Sequence, residues 1–183
     1  MDEISERYER ITGQFSDRVR AVPPDAWDNP SPCEGWTARD VVGHLVDWIS
    51  EFFGEQGVTF PPRPSVDEDP LEAWESVRRT LAAAIADPQL RQRPVSTPVA
   101  TQPLADMVES IVIGDVFMHT WDLARATGQD DTLDPDQLER MVAGIGSMPE
   151  DVMRADGMFG PPIEVPPDAD DQTRFLAYIG RRA

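Results

Sequence analysis

The 183-residue chain contains no lysine: all sixteen of its basic residues are arginines, set against 34 aspartates and glutamates, for a formal net charge of -18. That absence removes the phosphate-loop lysine and every Schiff-base or lysine-nucleophile mechanism. The acidic excess, with a pI near 4.3, repels phosphates, so nucleic acid and anionic membrane surfaces are poor partners, whereas cations are attracted. Cysteine occurs once, at Cys33, which rules out an internal disulfide framework and any all-cysteine zinc site. A metal here must take nitrogen and oxygen ligands. No stretch approaches the roughly 18 uninterrupted apolar residues that a membrane span requires. The N-terminus "MDEISERYER" is charged throughout, unlike a signal peptide or a lipid anchor, and a cytoplasmic protein is expected.

Proline is plentiful, at 18 residues, and it punctuates a chain of amphipathic segments. Ile4, Tyr8, Ile11, Phe15 and Val19 recur at the spacing that lines one helix face, before Pro23 and Pro24 stop it. In "GWTARDVVGHLVDWISEFFGEQG", Thr37 caps a second helix with Asp40 completing a weak capping box, Trp36 packs on Val41, and Gly57 ends it. Val41, Leu45, Trp48 and Phe52 are its expected inward face. Asp69 followed by Pro70 starts a third helix, with Leu71, Trp74, Val77, Leu81 and Ile85 inward. After Pro103 comes the longest periodic segment, closed by Gly128, in which Leu104, Val108, Ile111, Asp115, His119 and Asp122 share one stripe. No convincing two-residue alternation occurs anywhere. These segments predict an all-α fold, a four-helix bundle over residues 1–128. Residues 129–183 read as a short helical C-terminal extension of the same domain, with helices in "LDPDQLERMVAGIG", "MPEDVMRADG" and "DDQTRFLAYIGRR". The extension is too small for a core of its own and should pack on the bundle or on a second subunit.

Histidine is nearly as scarce as cysteine. There are two, His44 and His119, and both sit in apolar helical runs. Asp115 precedes His119 by four residues, which puts both side chains over one point of a helix face. His44 lies on the inward stripe of the second helix, so a facing pair of helices would bring a third ligand. An aspartate on a buried stripe costs several kcal/mol unless it is paired or bound to a cation, and Asp115 has no arginine within one turn of its own helix. A histidine on such a stripe is commonly a hydrogen-bonded core residue, but two of them with this carboxylate favour a metal site. Three protein ligands and one open position is the pattern of a catalytic divalent centre. Nitrogen and carboxylate donors suit zinc, nickel or ferrous iron, and the residues alone do not choose among them.

Each histidine is followed three residues later by an aspartate, in "HLVD" and "HTWD". Asp47 and Asp122 are therefore candidates to accept the second ring N–H of a ligating histidine, to serve as a fourth ligand, or to move a proton. Solvated or capping roles are the alternative for both. Cys33 is most simply a small buried hydrophobe. The five tryptophans read as core and loop anchors, although Trp121, beside His119, is expected to line the pocket.

"PSPCEGWTARDVVGHL" (30–45), "DVFMHTWDLARATG" (115–128) and the ending "FGPPIEVPPDADDQTRFLAYIGR" resemble the DinB-like superfamily of metal-binding four-helix bundles. The branch they are most similar to is that of the mycothiol-dependent maleylpyruvate isomerase-like proteins. The resemblance implies a divalent metal held by His44, Asp115 and His119, with mycothiol as a candidate cofactor. It implies a thiol-dependent transferase or isomerase whose partners are a small thiol and an electrophilic substrate. A dianionic substrate would meet a field of its own sign, which only a local arginine, Arg125 or Arg39, could offset; Arg125 is accordingly a candidate cofactor contact, with Trp121 beside it. A non-catalytic metal- or ligand-binding bundle would instead close the site with a fourth ligand, and a metal-dependent hydrolase would use the same site to activate water. Such bundles often pair, and a homodimer is expected.

Overall fold

The computed structural model describes residues 2–97, 100–144, 154 and 159–182. The chain falls into two compact units, Met1–Asp131 and Thr132–Ala183. The first holds the four expected helical segments. Helix α1, Glu3–Arg20, starts where Asp2 accepts from the Ser5 N–H, and buries Tyr8, Ile11, Phe15 and Val19. Helix α2, Ala38–Glu55, begins at a complete capping box: the Asp40 N–H donates to Thr37 Oγ1 at 3.2 Å and the Thr37 N–H to Asp40 Oδ2 at 2.8 Å. Aspartate serves as well as glutamate here because the two groups are adjacent in the first turn. Helix α3, Pro70–Ala86, is capped by Asp69 with proline in its first turn. Helix α5, Ile113–Thr127, ends at Gly128, whose φ of +68° is the left-handed conformation that favours glycine.

Packing follows the apolar faces. α1 packs on α3 and α5, and α2 packs on the same two helices. The centre is apolar and aromatic: the Phe15 and Trp74 rings meet edge-on with centroids 4.8 Å apart, and Trp74 Nε1 donates to Ser16 Oγ at 2.9 Å, so the indole is buried without leaving its N–H unpaired.

Three details depart from the periodic reading. On α2, Ile49 and Phe53 are buried while Trp48 and Phe52 are only half-buried, because 3.6 residues per turn carries the i, i+4 row gradually off the core axis. The long fourth segment is not one regular helix. It comprises α4, Leu104–Met107, a π-helical turn, Val108–Val112, and α5. The wider turn advances the register, so Val112 is fully buried and Ile111 is not. A two-stranded antiparallel hairpin, β1 (Pro94–Ser96) with β2 (Thr101–Pro103), precedes α4; strands of three residues flanked by proline are too short to display alternation.

In the second unit, α6 (Pro135–Gly144) and α7 (Asp171–Tyr178) pack together. The Leu133 N–H donates to Gln172 Oε1 at 2.9 Å, and Phe175 and Leu176 are buried. The helix expected in "MPEDVMRADG" lies outside the described residues but for Arg154.

Candidate metal centre

The contact between α2 and α5 brings the two histidines together. His44 comes from α2, Asp115 and His119 from successive turns of α5. His44 Nε2 lies 3.3 Å from Asp115 Oδ2, and His119 Nε2 lies 3.4 Å from Asp115 Oδ1. The imidazole centroids are 4.9 Å apart at 70°. His119 is buried, while His44 and Asp115 are half-buried, so the cluster faces the interior on one side and solvent on the other.

Each member is held from behind. Trp48 Nε1 donates to Asp115 Oδ2 at 2.8 Å. His119 Nδ1 lies 2.9 Å from Asp122 Oδ2. An ionised carboxylate only accepts, so Nδ1 carries the proton in that bond and Nε2 is the atom turned to Asp115. The Trp36 ring lies 4.8 Å from that of His44 and 5.8 Å from that of His119, nearly parallel to the latter. Trp36 thus does more than staple the start of α2.

The loop before α2 carries Cys33 into this shell. Asn29 Nδ2 donates to the Ala126 carbonyl at 3.1 Å, tying the loop to the end of α5. The Ser31 N–H donates to the Trp36 carbonyl at 2.8 Å, closing the turn. Cys33 Sγ then donates to Asp122 Oδ2 at 3.2 Å.

The electrostatics are those of charges sharing a small volume. Burial, the largest influence on His119, pushes its pKa down, but the Asp115 and Asp122 carboxylates outweigh it and the value is pushed up to about 10. For Asp115, burial again opposes; His119, His44 and the Trp48 N–H hold the carboxyl below its usual range.

Two overlapping donor sets result, His44–Asp115–His119 and Cys33–His119–Asp122, each with ligand atoms within 4.8 Å of one another. The first suits a tetrahedral cation. Zinc bonded at about 2.0–2.2 Å separates neighbouring ligands by about 3.3–3.6 Å; here each imidazole stands against its own oxygen of Asp115, His44 at 3.3 Å from Oδ2 and His119 at 3.4 Å from Oδ1.

Other expected site residues stand elsewhere. Asp47 is exposed on α2 and belongs to neither donor set. A residue three positions on falls about 60° short of a full turn. On α2 that rotation leads to solvent; on α5, which is buried nearly all round, it leads Asp122 inward. Trp121 is fully buried and Arg125 lies 5.5 Å over its ring while pairing with Asp131 at 3.1 Å. Among the described residues no hydrogen bond or ring contact joins either to the cluster. Arg39 is committed to the Val66 carbonyl, Asp67 and the Trp27 ring. A separate groove of about 560 Å³, lined by Val58, Thr80, Ala84 and Leu90 among others, contains no residue of either donor set. The role of Trp48 had a signal in "HLVDW", since it is four residues from His44 and shares its face. The Cys33–Asp122 contact, across 89 positions, had none.

Among known proteins, the chain is 27% identical over 179 residues to uncharacterised proteins of Mycobacterium tuberculosis strains H37Rv and CDC 1551, covering 95% of each chain. No solved structure is a significant match. Residues 8–124 match the family described as the mycothiol maleylpyruvate isomerase N-terminal domain, a span that takes in α1 to α5 and both histidines. The chain belongs to that family.

Proposed function

We propose that this protein binds a divalent metal, zinc first, through His44, Asp115 and His119, and uses it as a mycothiol-type, thiol-dependent transferase or isomerase acting on a small electrophile. The observation that carries the reading is the convergence of His44, Asp115 and His119, whose ligand atoms lie within 4.8 Å of one another, with one imidazole on each oxygen of the carboxylate. We take the four long helices to be a bundle, since each packs on two others, with the centre between α2 and α5.

A cation there would favour the thiolate form of a small thiol well below the ordinary pKa of about 8.5. The protein's own groups prepare the site for this. Asp122 holds the proton of His119 on Nδ1 and leaves Nε2 to donate. Trp48 occupies part of the Asp115 carboxylate and restrains its rotation. Trp36 lies beside both imidazoles, stacked on His119 and tilted to His44, and keeps water from that flank. Among the described residues, the first donor set contains no fourth protein ligand; that supports an open position over the closed site of a purely structural centre.

Elemental analysis of purified protein beside the His44→Ala variant tests the metal. About one equivalent in the native protein, lost in the variant, is the expected result; equal content in both would end the reading. Calorimetric titration of mycothiol into metal-loaded protein then tests the thiol, with binding that Asp115→Ala abolishes as the expectation. Turnover of simple esters without any thiol would favour a hydrolase. The same reading carries a homodimer, which sedimentation velocity checks.

A further inference from the structure

We propose that Cys33 is a positioning residue for this centre, acting through Asp122 on His119. The inference rests on the metal reading above. The Asp122 side chain is 1% exposed, and a carboxylate so far from water is stable only when donors satisfy it. Two donors converge on the same oxygen, Oδ2: His119 Nδ1 at 2.9 Å and Cys33 Sγ at 3.2 Å. The second fixes how the carboxylate is turned and draws off part of its charge. Both quantities determine where the His119 ring sits and how strongly Nε2 donates.

The thiol does not reach this place by chance packing. Its backbone is held on both sides, with the Cys33 N–H donating to Ser31 Oγ at 3.2 Å and the Cys33 carbonyl accepting from the Trp36 N–H at 3.0 Å. Because the Trp36 ring stacks on His119 and meets His44 at a tilt, one turn of loop supplies both the ring beside the imidazoles and the donor behind Asp122.

The rival role is direct ligation, since Cys33, Asp122 and His119 also form a compact donor set. That arrangement would use Nδ1, whose proton already satisfies Asp122. As a positioning residue, Cys33 stands one carboxylate and one imidazole away from the cation and forms no bond to it.

Cobalt(II) titration of the full-length chain distinguishes these roles, with the visible ligand-field bands and the dissociation constant read together. Asp122→Asn should weaken cobalt binding by about 10- to 100-fold. Cys33→Ala should weaken it by about tenfold, at the lower end of such effects, and shift the bands; Cys33→Ser, whose hydroxyl can still donate, should recover both. A Cys33→Ala variant with native affinity and bands overturns the inference, even if its melting temperature falls, because the side chain would then be only filling space. So does a near-ultraviolet sulfur-to-cobalt absorption that is present in the native protein and lost in Cys33→Ser, which would make the thiolate a ligand. Undiminished cobalt binding by His44→Ala would instead refute the metal reading itself, and this inference with it.

Discussion

At the scale of single residues, the proposed centre sets a cation in competition with a proton for His119. With its pKa pushed up to about 10, the metal-free imidazole carries both ring protons near neutral pH, and a ligand must surrender the one on Nε2. Zinc binding at pH 7 to 8 is therefore expected to release about one proton. Calorimetry in buffers of different ionisation enthalpy measures it; an apparent enthalpy that ignores the buffer would contradict it. The sign for stability follows from the same shift. In chelated protein the raised pKa contributes stability that is fully present below the ordinary histidine value of 6.5 and is lost as pH rises through about 10. Melting temperatures of chelated protein should fall across that window, and His119→Gln should flatten the decline. Trp48→Phe keeps most of the ring and removes only the N–H bonded to Asp115. It should weaken metal binding by about tenfold with little loss of fold, as a competition assay against a chromophoric chelator would read.

At the scale of elements, a charged network ties α1 to α3. Arg78 of α3 pairs with Glu9 of α1 at 2.6 Å and with Glu75 of its own helix at 3.0 Å. Burial pushes Glu75 up, but the Ser16 hydroxyl and Arg78 outweigh it and hold the carboxyl below the ordinary glutamate value of 4.5. A depressed carboxyl contributes stability above that value and loses it as pH falls through the folded pKa. Glu75→Gln should therefore cost about 1–2 kcal/mol at pH 7 and progressively less toward pH 3, measured by urea unfolding at each pH. An unchanging difference would assign the loss to packing instead. Periodicity made α1 and α3 legible, because their buried faces are regular. The π-helical turn was not legible: nothing in Val108–Val112 marks an extra residue per turn. The turn does have a partner, for Glu109 within it accepts from Arg7 of α1, an arginine 6% exposed.

At the scale of the whole molecule, the net charge of -18 favours cations in the surrounding solution and disfavours polyanions, in keeping with the proposed metal centre. Among the described residues no helix is long and apolar enough to cross a membrane. Both donor sets and all the elements that carry them lie within Met1–Asp131. A chain ending at Asp131 is expected to fold cooperatively and to bind zinc within about threefold of the full-length affinity, a difference of about 0.65 kcal/mol. Failure of that fragment to take up metal, with its helical circular dichroism intact, would show that the second unit contributes to the centre.

Residue spacing by itself determined the helical class, the caps at Thr37, Asp69 and Gly128, and the Asp115–His119 pair. These depend on contacts within a turn or two, which the helical repeat dictates. Which neighbours stand behind the ligands was a matter for the tertiary structure alone. Asp47 and Asp122 have the same offset from a histidine, yet one is exposed and the other buried; their helices are covered to different extents, and coverage is set by what packs against them. Cys33 meets Asp122 and His44 meets Asp115 because a loop and two helices converge, and no local pattern encodes a meeting between chain segments so far apart.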